Sequence, residues 1–137
     1  MEFVELRRPS VKRVLIVEDD ELNMKLIHDL LEVHGYTTIT TPEGSAALGL
    51  ARANRPHLIL MDLQLPDVSG FDAVRQLKRE ESTRAIPVVA VTAFAMGGDA
   101  RKALASGCDA YVAKPFIVRN FLALVESFIG TSSSELR

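Results

Sequence analysis

The sequence predicts an α/β domain built on a doubly wound, five-stranded parallel sheet with helices on both faces. Three observations carry that expectation. Apolar blocks at residues 14–17, 58–61 and 88–91 lack the alternation of a one-sided strand, so they suit strands buried on both faces. These blocks alternate with segments of helical spacing at intervals of about twenty-odd residues, the rhythm of strand–helix units joined by right-handed crossovers. The 137 residues suffice for one ordinary domain with a real core and leave no room for a typical second one.

Taken in order, residues 14–17 stop abruptly at Glu18-Asp19-Asp20, a first strand running into an acidic loop. From Glu21 the spacing turns helical, with Leu22, Leu26, Leu30 and Val33 expected on one face and Gly35 expected to end the helix in a left-handed cap. Residues 36–40, rich in β-branched and aromatic side chains, form the second strand. Thr41-Pro42 reads as a helix start, because proline at the first helical position forfeits no needed N–H. A second helix is therefore expected from Pro42 to about Asn54, with Ala46, Ala47, Leu50 and Ala51 as a small apolar stripe and Pro56 as its stop.

The run from His57 to Pro66 supplies the third strand and ends its apolar part at a single carboxylate, Asp62. Ser69, with Asp72 three positions later, fits a capping box opening a third helix through Phe71, Val74, Leu77 and Lys78. Pro87 leads into the fourth strand, which stops at Thr92, and residues 93–98 read as a flexible turn. Residues 99–106 form a short helix closed by Gly107, and residues 110–113 a fifth strand ending at Lys114-Pro115. The last helix, residues 118–129, places Phe121, Leu122, Val125 and Phe128 on one face. Residues 1–12 and 131–137 read as a terminal extension and a polar tail, which leaves 13–130 as the folded unit.

A net charge of -2 with 25% charged residues describes a surface of mixed sign and gives no reason to expect nucleic acid as a partner. The short basic cluster Arg7, Arg8, Lys12 and Arg13 lacks interleaved aromatics and reads as a solvated tail. Cys108 is the only cysteine, so no intrachain disulfide is available, and it is expected to be a small core residue in a reducing compartment. No apolar run reaches the ~20 residues of a membrane span, and residues 1–10 lack a signal peptide's apolar core. A cytosolic protein without membrane insertion is expected.

In a doubly wound sheet the ligand site lies beyond the carboxyl ends of the strands, where strand order reverses. The residues at those ends are Glu18 and Asp19, Asp62, Thr92 and Lys114. Carboxylates gathered without a counter-ion raise one another's pKa, so the set asks for a hard cation held through oxygen, with Mg2+ expected. Lys114 as a point charge and Thr92 as an O–H donor suit the remaining oxygens of a phosphoryl group, and Asp62 can attack phosphorus to give an acyl phosphate. Singly, each residue has a plain reading: Glu18 or Asp19 as a helix cap, Thr92 as a strand end, Lys114 as a solvated charge. Their coincidence at equivalent strand ends favours the functional one.

Residues 14–19, Leu60-Met61-Asp62 with Pro66 and Gly70, Val91-Thr92-Ala93 and Lys114-Pro115 resemble the ordered motifs of response-regulator receiver domains, over about residues 13–129. Residues 20–26, 61–66 and 87–96 are more narrowly similar to single-domain regulators of cell polarity and division in alphaproteobacteria. The resemblance implies a flavodoxin-like (βα)5 fold with strand order 2-1-3-4-5, and a phosphoryl group accepted on Asp62 from a sensor histidine kinase or a histidine phosphotransfer protein. It implies Mg2+ bound by Asp19, Asp62 and the carbonyl of Gln64, with Glu18 acting through water, and slow autodephosphorylation governed by Gln64 and Phe94. Thr92 and Tyr111 match the family's switch pair, although Tyr111 also reads as a strand residue with a buried ring. Lys114 would pair with the phosphate, across a peptide bond to Pro115 that is commonly cis in the family. The protein is expected to be a monomer or weak dimer, recruited to a cell pole by partner kinases. One departure is Asp20, where the narrower group often carries Asn; a helix-cap role is favoured.

Two rivals remain. An enzyme of the haloacid-dehalogenase type also joins Asp, Mg2+, Thr and Lys at strand ends, but expects a second Asp where Gln64 stands, and a lid for which the chain lacks length. An inactive receiver-like module would need a silent acidic site. His28, His34 and His57 are expected in packing or surface roles, because a receiver takes its phosphoryl group from a histidine on the partner.

Overall fold

Strands and helices alternate along the chain as β1 (Arg13–Val17), α1 (Glu21–Val33), β2 (Thr37–Thr41), α2 (Ala47–Asn54), β3 (Leu58–Met61), α3 (Gly70–Arg79), β4 (Val88–Thr92), α4 (Asp99–Ser106), β5 (Ala110–Ala113) and α5 (Val118–Ile129). The computed structural model describes residues 11–93 and 99–132; the expectations on the extension with Arg7 and Arg8, on the turn with Phe94, and on the tail beyond Ser132 lie outside them. All strand pairs are parallel, in the order β2-β1-β3-β4-β5. The order reverses between β1 and β3, as expected for this class of sheet.

The strand sequences explain the layering. Leu15, Val17, Ile59, Met61, Val88 and Ala90 point to one side and pack with Ala51, Val74, Leu77 and Ala103 of α2, α3 and α4. The intervening residues Val14, Ile16, Leu58, Leu60, Val89 and Val91 point to the other side and meet Ile27, Leu31, Phe121 and Val125 of α1 and α5. Both pleat faces are apolar because both are covered. Register brings Val17 opposite Thr41 and Met61, and Thr92 opposite Ala113, so the strands end together at one edge of the sheet.

Two expectations fail locally. On α1 the core takes Ile27 and Leu31, with Met24 and Leu30 partly buried, while Leu22, Leu26 and Val33 are 79%, 48% and 81% exposed. The helix carries apolar residues on most of its circumference, and packing against the sheet selects the phase that spacing alone left undecided. At Thr41-Pro42 no helix begins. Thr41 completes β2, buried beside Val17, and its hydroxyl accepts the Glu43 N–H at 3.2 Å. Helical structure starts with a 3-10 turn at Gly44–Ala46 that runs into α2.

Elsewhere most local signals hold, with exceptions at Asp72 and Arg13. Asp20 caps α1, its Oδ1 accepting the Leu22 N–H at 3.1 Å, and Gly35 follows that helix with φ 91°. Ser69 caps α3 by accepting the Phe71 N–H at 3.2 Å, whereas Asp72 pairs with Arg75 instead of completing a capping box. Gly107 closes α4 with φ 114°. Arg13 departs from the solvated-tail reading: its guanidinium donates to the carbonyls of Asn54 and Arg55, at 2.9 and 2.6 Å, at the end of α2. Among the described residues no helix is long and apolar enough to cross a membrane.

Candidate functional site

Glu18 and Asp62 are the first residues past β1 and β3, and backbone bonds extend the sheet through both. The Glu18 N–H donates to Thr41 O at 3.0 Å and the Asp62 N–H to Val17 O at 2.9 Å. Their side chains therefore leave the apolar strands at the same level. Both are buried, Glu18 2% and Asp62 6% exposed, while Asp19 faces solvent. Glu18, Asp19 and Asp62 each offer a carboxylate oxygen, and these oxygens all lie within 4.8 Å of one another.

Lys114 arrives from the end of β5, where its N–H donates to Thr92 O at 2.8 Å and its peptide bond to Pro115 is cis. Its ammonium lies 2.6 Å from Glu18 Oε1 and 3.5 Å from Asp62 Oδ2. Burial, with Asp62 beside it, pushes the Glu18 carboxyl up to about 7, and Lys114 only partly opposes this. One ammonium thus pairs with two of the three clustered carboxylates. An all-oxygen donor set of excess negative charge, open to solvent on the Asp19 side, fits a hard divalent cation and suits neither a thiolate-loving nor an imidazole-loving metal.

Thr92, the last residue of β4, is buried at the same edge, so Glu18, Asp19, Asp62, Thr92 and Lys114 all stand where the sequence predicts. Gln64 is exposed in the β3–α3 loop, and its N–H donates to Asp62 Oδ1 at 2.9 Å, fixing one oxygen of that carboxylate. Tyr111 stands inside β5, opposite Ala90 and half-buried against the face of the sheet that α2 to α4 cover. The histidines bond locally: His57 Nδ1 accepts the Arg13 N–H at 3.0 Å, His28 Nδ1 lies 2.6 Å from Thr38 Oγ1, and His34 donates to Leu30 O at 2.9 Å. Cys108 is buried, and burial raises its thiol pKa.

Gly70, which the resemblance named, and Asp67, which the sequence did not mark, complete the site. Gly70 is required by close approach: a Cβ there would sit 2.5 Å from both the Asp62 carbonyl oxygen and Leu63 Cα. Asp67, in the same loop, accepts the N–H groups of Gly44 and Ser45 at 3.0 Å each. No spacing rule reveals a helix start capped from another loop, and Pro66-Asp67 reads simply as turn.

Comparison with known proteins agrees with this geometry. Residues 14–126 match the family model described as the response regulator receiver domain. The chain is 54% identical over 119 residues to the polar-differentiation response regulator DivK of Brucella anthropi, covering 87% of this chain and 97% of that protein, and matches DivK of Brucella melitensis to the same extent. Among solved structures it is similar to the receiver domain of a sensor histidine kinase from Pseudomonas aeruginosa, which has a magnesium ion coordinated in its active-site cleft. That match has 33% identity and a TM-score of 0.82, covering 89% of this chain and 100% of the other. The chemotaxis protein CheY4 of Vibrio cholerae shares the fold at 22% identity and TM-score 0.82, covering 88% of this chain and 100% of its own.

Proposed function

The chain belongs to the response-regulator receiver family, and from that premise we propose that it is a phospho-accepting switch of the DivK kind, serving cell polarity and division by phosphorylation-dependent protein contacts. The switching unit is residues 13–130. The observation that carries the reading is the fixed carboxylate of Asp62, with one oxygen bonded to the Gln64 N–H at 2.9 Å and the other 3.5 Å from the Lys114 ammonium.

An Asp62 oxygen attacks the phosphorus of a phosphohistidine on a sensor kinase or phosphotransfer protein. The P–N bond breaks, and the imidazole leaves with the bonding pair and takes up a proton. Asp19, Asp62 and the Gln64 carbonyl, with Glu18 acting through water, would hold Mg2+, which when bound neutralises charge on the transferring oxygens. Lys114, already within reach of both buried carboxylates, pairs with a phosphoryl oxygen, and the Thr92 hydroxyl donates to another. Tyr111 follows Thr92 as the second half of the switch. Gln64, exposed two residues after the acceptor, governs the entry of the water that slowly hydrolyses the acyl phosphate. The apolar face of α1 that the core leaves exposed, Leu22, Leu26 and Val33, supports docking of the donor beside the acceptor.

Incubation with acetyl phosphate and Mg2+ should place an acid-stable, base-labile phosphate on the wild-type protein and none on Asp62→Asn. A label of the same lability persisting on Asp62→Asn would falsify the assignment. Brisk turnover of a simple phosphomonoester would favour a dehalogenase-type phosphatase instead.

A further inference from the structure

The loop that carries Gln64 has no secondary structure of its own between β3 and α3, yet a receiver needs the Gln64 carbonyl held in place. Asp67 supplies an anchor. Its two carboxylate oxygens accept the N–H groups of Gly44 and Ser45, one each, at 3.0 Å. These are the first residues of the 3-10 turn that leads into α2, whose own preceding residue, Glu43, makes no capping bond through its side chain. The same contact is apolar on its flank. A Cβ on Gly44 would lie 2.7 Å from Val68 Cγ2 and 2.8 Å from Leu65 Cδ1, so the loop packs into space that only glycine leaves open. Hydrogen bonds from Ser45 hold the Asp67 carboxyl well below the ordinary carboxylate range, so the anchor is charged at neutral pH. The segment it grips is also the one that steadies Glu18, because the Thr41 carbonyl just before it accepts the Glu18 N–H at 3.0 Å. Asp67 thereby ties the β3–α3 connection, which follows Asp62, to the β2–α2 connection, which adjoins Glu18 through Thr41.

We propose that Asp67 is a positioning residue for the metal site: it latches the β3–α3 loop to the Gly44-Ser45 turn and thereby sets the Gln64 carbonyl relative to Asp62 and Asp19. The proposal rests on the metal-binding reading above. Gly44 is the second half of the latch: its N–H donates to Asp67, and its missing side chain leaves room for Leu65 and Val68.

The test uses the whole chain and Mg2+ itself, followed by proton–nitrogen correlation spectra. In the wild type, Mg2+ should shift the amide signals of Gly44 and Ser45, whose hydrogen bonds to the β3–α3 loop run to Asp67, and Asp67→Ala should diminish those shifts. Asp67→Ala should weaken Mg2+ binding about tenfold, the low end of what loss of an outer-shell partner does to a metal site. Gly44→Ala should weaken it by a smaller factor without changing charge, because the side-chain ends it meets can partly give way, and Asp67→Asn, which keeps one acceptor oxygen, should fall between wild type and Asp67→Ala. Tyr36→Phe removes a 2.7 Å hydrogen bond to the Gly130 carbonyl at the opposite end of the sheet. It controls for destabilisation alone and should keep the wild-type affinity. Wild-type affinity in Asp67→Ala, or silent Gly44 and Ser45 amides in the wild type, overturns the latch while leaving the metal site standing. So does an unchanged affinity in Gly44→Ala, which would reduce the effect of Asp67 to its charge, or an equal loss in Tyr36→Phe. A wild-type protein that binds no Mg2+ overturns the metal reading and the latch with it.

Discussion

Gly70 shows how closely a single backbone position can be tied to the acceptor. The residue opens α3, its N–H donates to Leu63 O at 3.2 Å, and no side chain fits between it and the main chain of Asp62 and Leu63. The atoms a Cβ would meet are backbone, which cannot swing aside as a flexible side-chain end can. Gly70→Ala must therefore push α3 away from the end of β3 or distort the Asp62 peptide. Overpacking of this kind costs about 1–3 kcal/mol. Urea unfolding should show that loss, and a variant as stable as wild type would mean that the helix start yields without strain. In the sequence the resemblance named this glycine with Pro66, but the close contact that requires it was not visible there. The charged members of the site were legible because each ends an apolar run, which is a one-dimensional signal. Gly70 acts on the main chain at the other end of its own loop and Asp67 on a turn in a different connection, and nothing at either position announces the partner.

At the scale of an element, α1 is the instructive case. Its residues 22–33 contain enough apolar side chains to draw two stripes, one through Leu22, Leu26, Leu30 and Val33 and one through Met24, Ile27 and Leu31. Spacing by three and four accepts either. The sheet accepts one, burying Ile27 and Leu31 to about 1% exposure or less against Val14, Ile16 and Phe121 and turning Leu22, Leu26 and Val33 of the other stripe outward, while Leu30 stays partly buried. Strands suffered no such ambiguity, because a strand covered on both faces has no wrong face to choose. The consequence is a contrast in mutational cost. Ile27→Ala should lower the unfolding free energy by about 2–5 kcal/mol, the range for truncating a buried aliphatic. Leu26→Ala should stay within about 0.5 kcal/mol, as surface substitutions do. If Leu26 serves donor docking, its alanine variant should accept phosphoryl normally from acetyl phosphate and poorly from a cognate kinase. Equal destabilisation by the two substitutions would return α1 to the phase read from spacing.

Across the whole molecule, the acidic site is made by the meeting of three separate connections, after β1, β3 and β5, so whatever binds there also holds the sheet edge together. Glu18 and Asp62 stand beside one partly buried ammonium, an arrangement in which the carboxylates repel and Lys114 only partly compensates. A divalent cation added to that cluster relieves the repulsion and binds only the folded state, since the unfolded chain scatters the three connections. Linkage then fixes the size of the effect: Mg2+ at a hundred times its Kd raises the unfolding free energy by about 2.7 kcal/mol. Asp19 isolates this contribution, because it is exposed and its removal leaves the buried Glu18–Lys114–Asp62 pairing intact. Asp19→Asn should therefore match wild type in urea unfolding with EDTA, yet gain much less stability at the same Mg2+ concentration. An equal Mg2+ increment in the two proteins would take Asp19 out of the ligand set. A large loss in EDTA would mean that its carboxylate supports the fold in its own right.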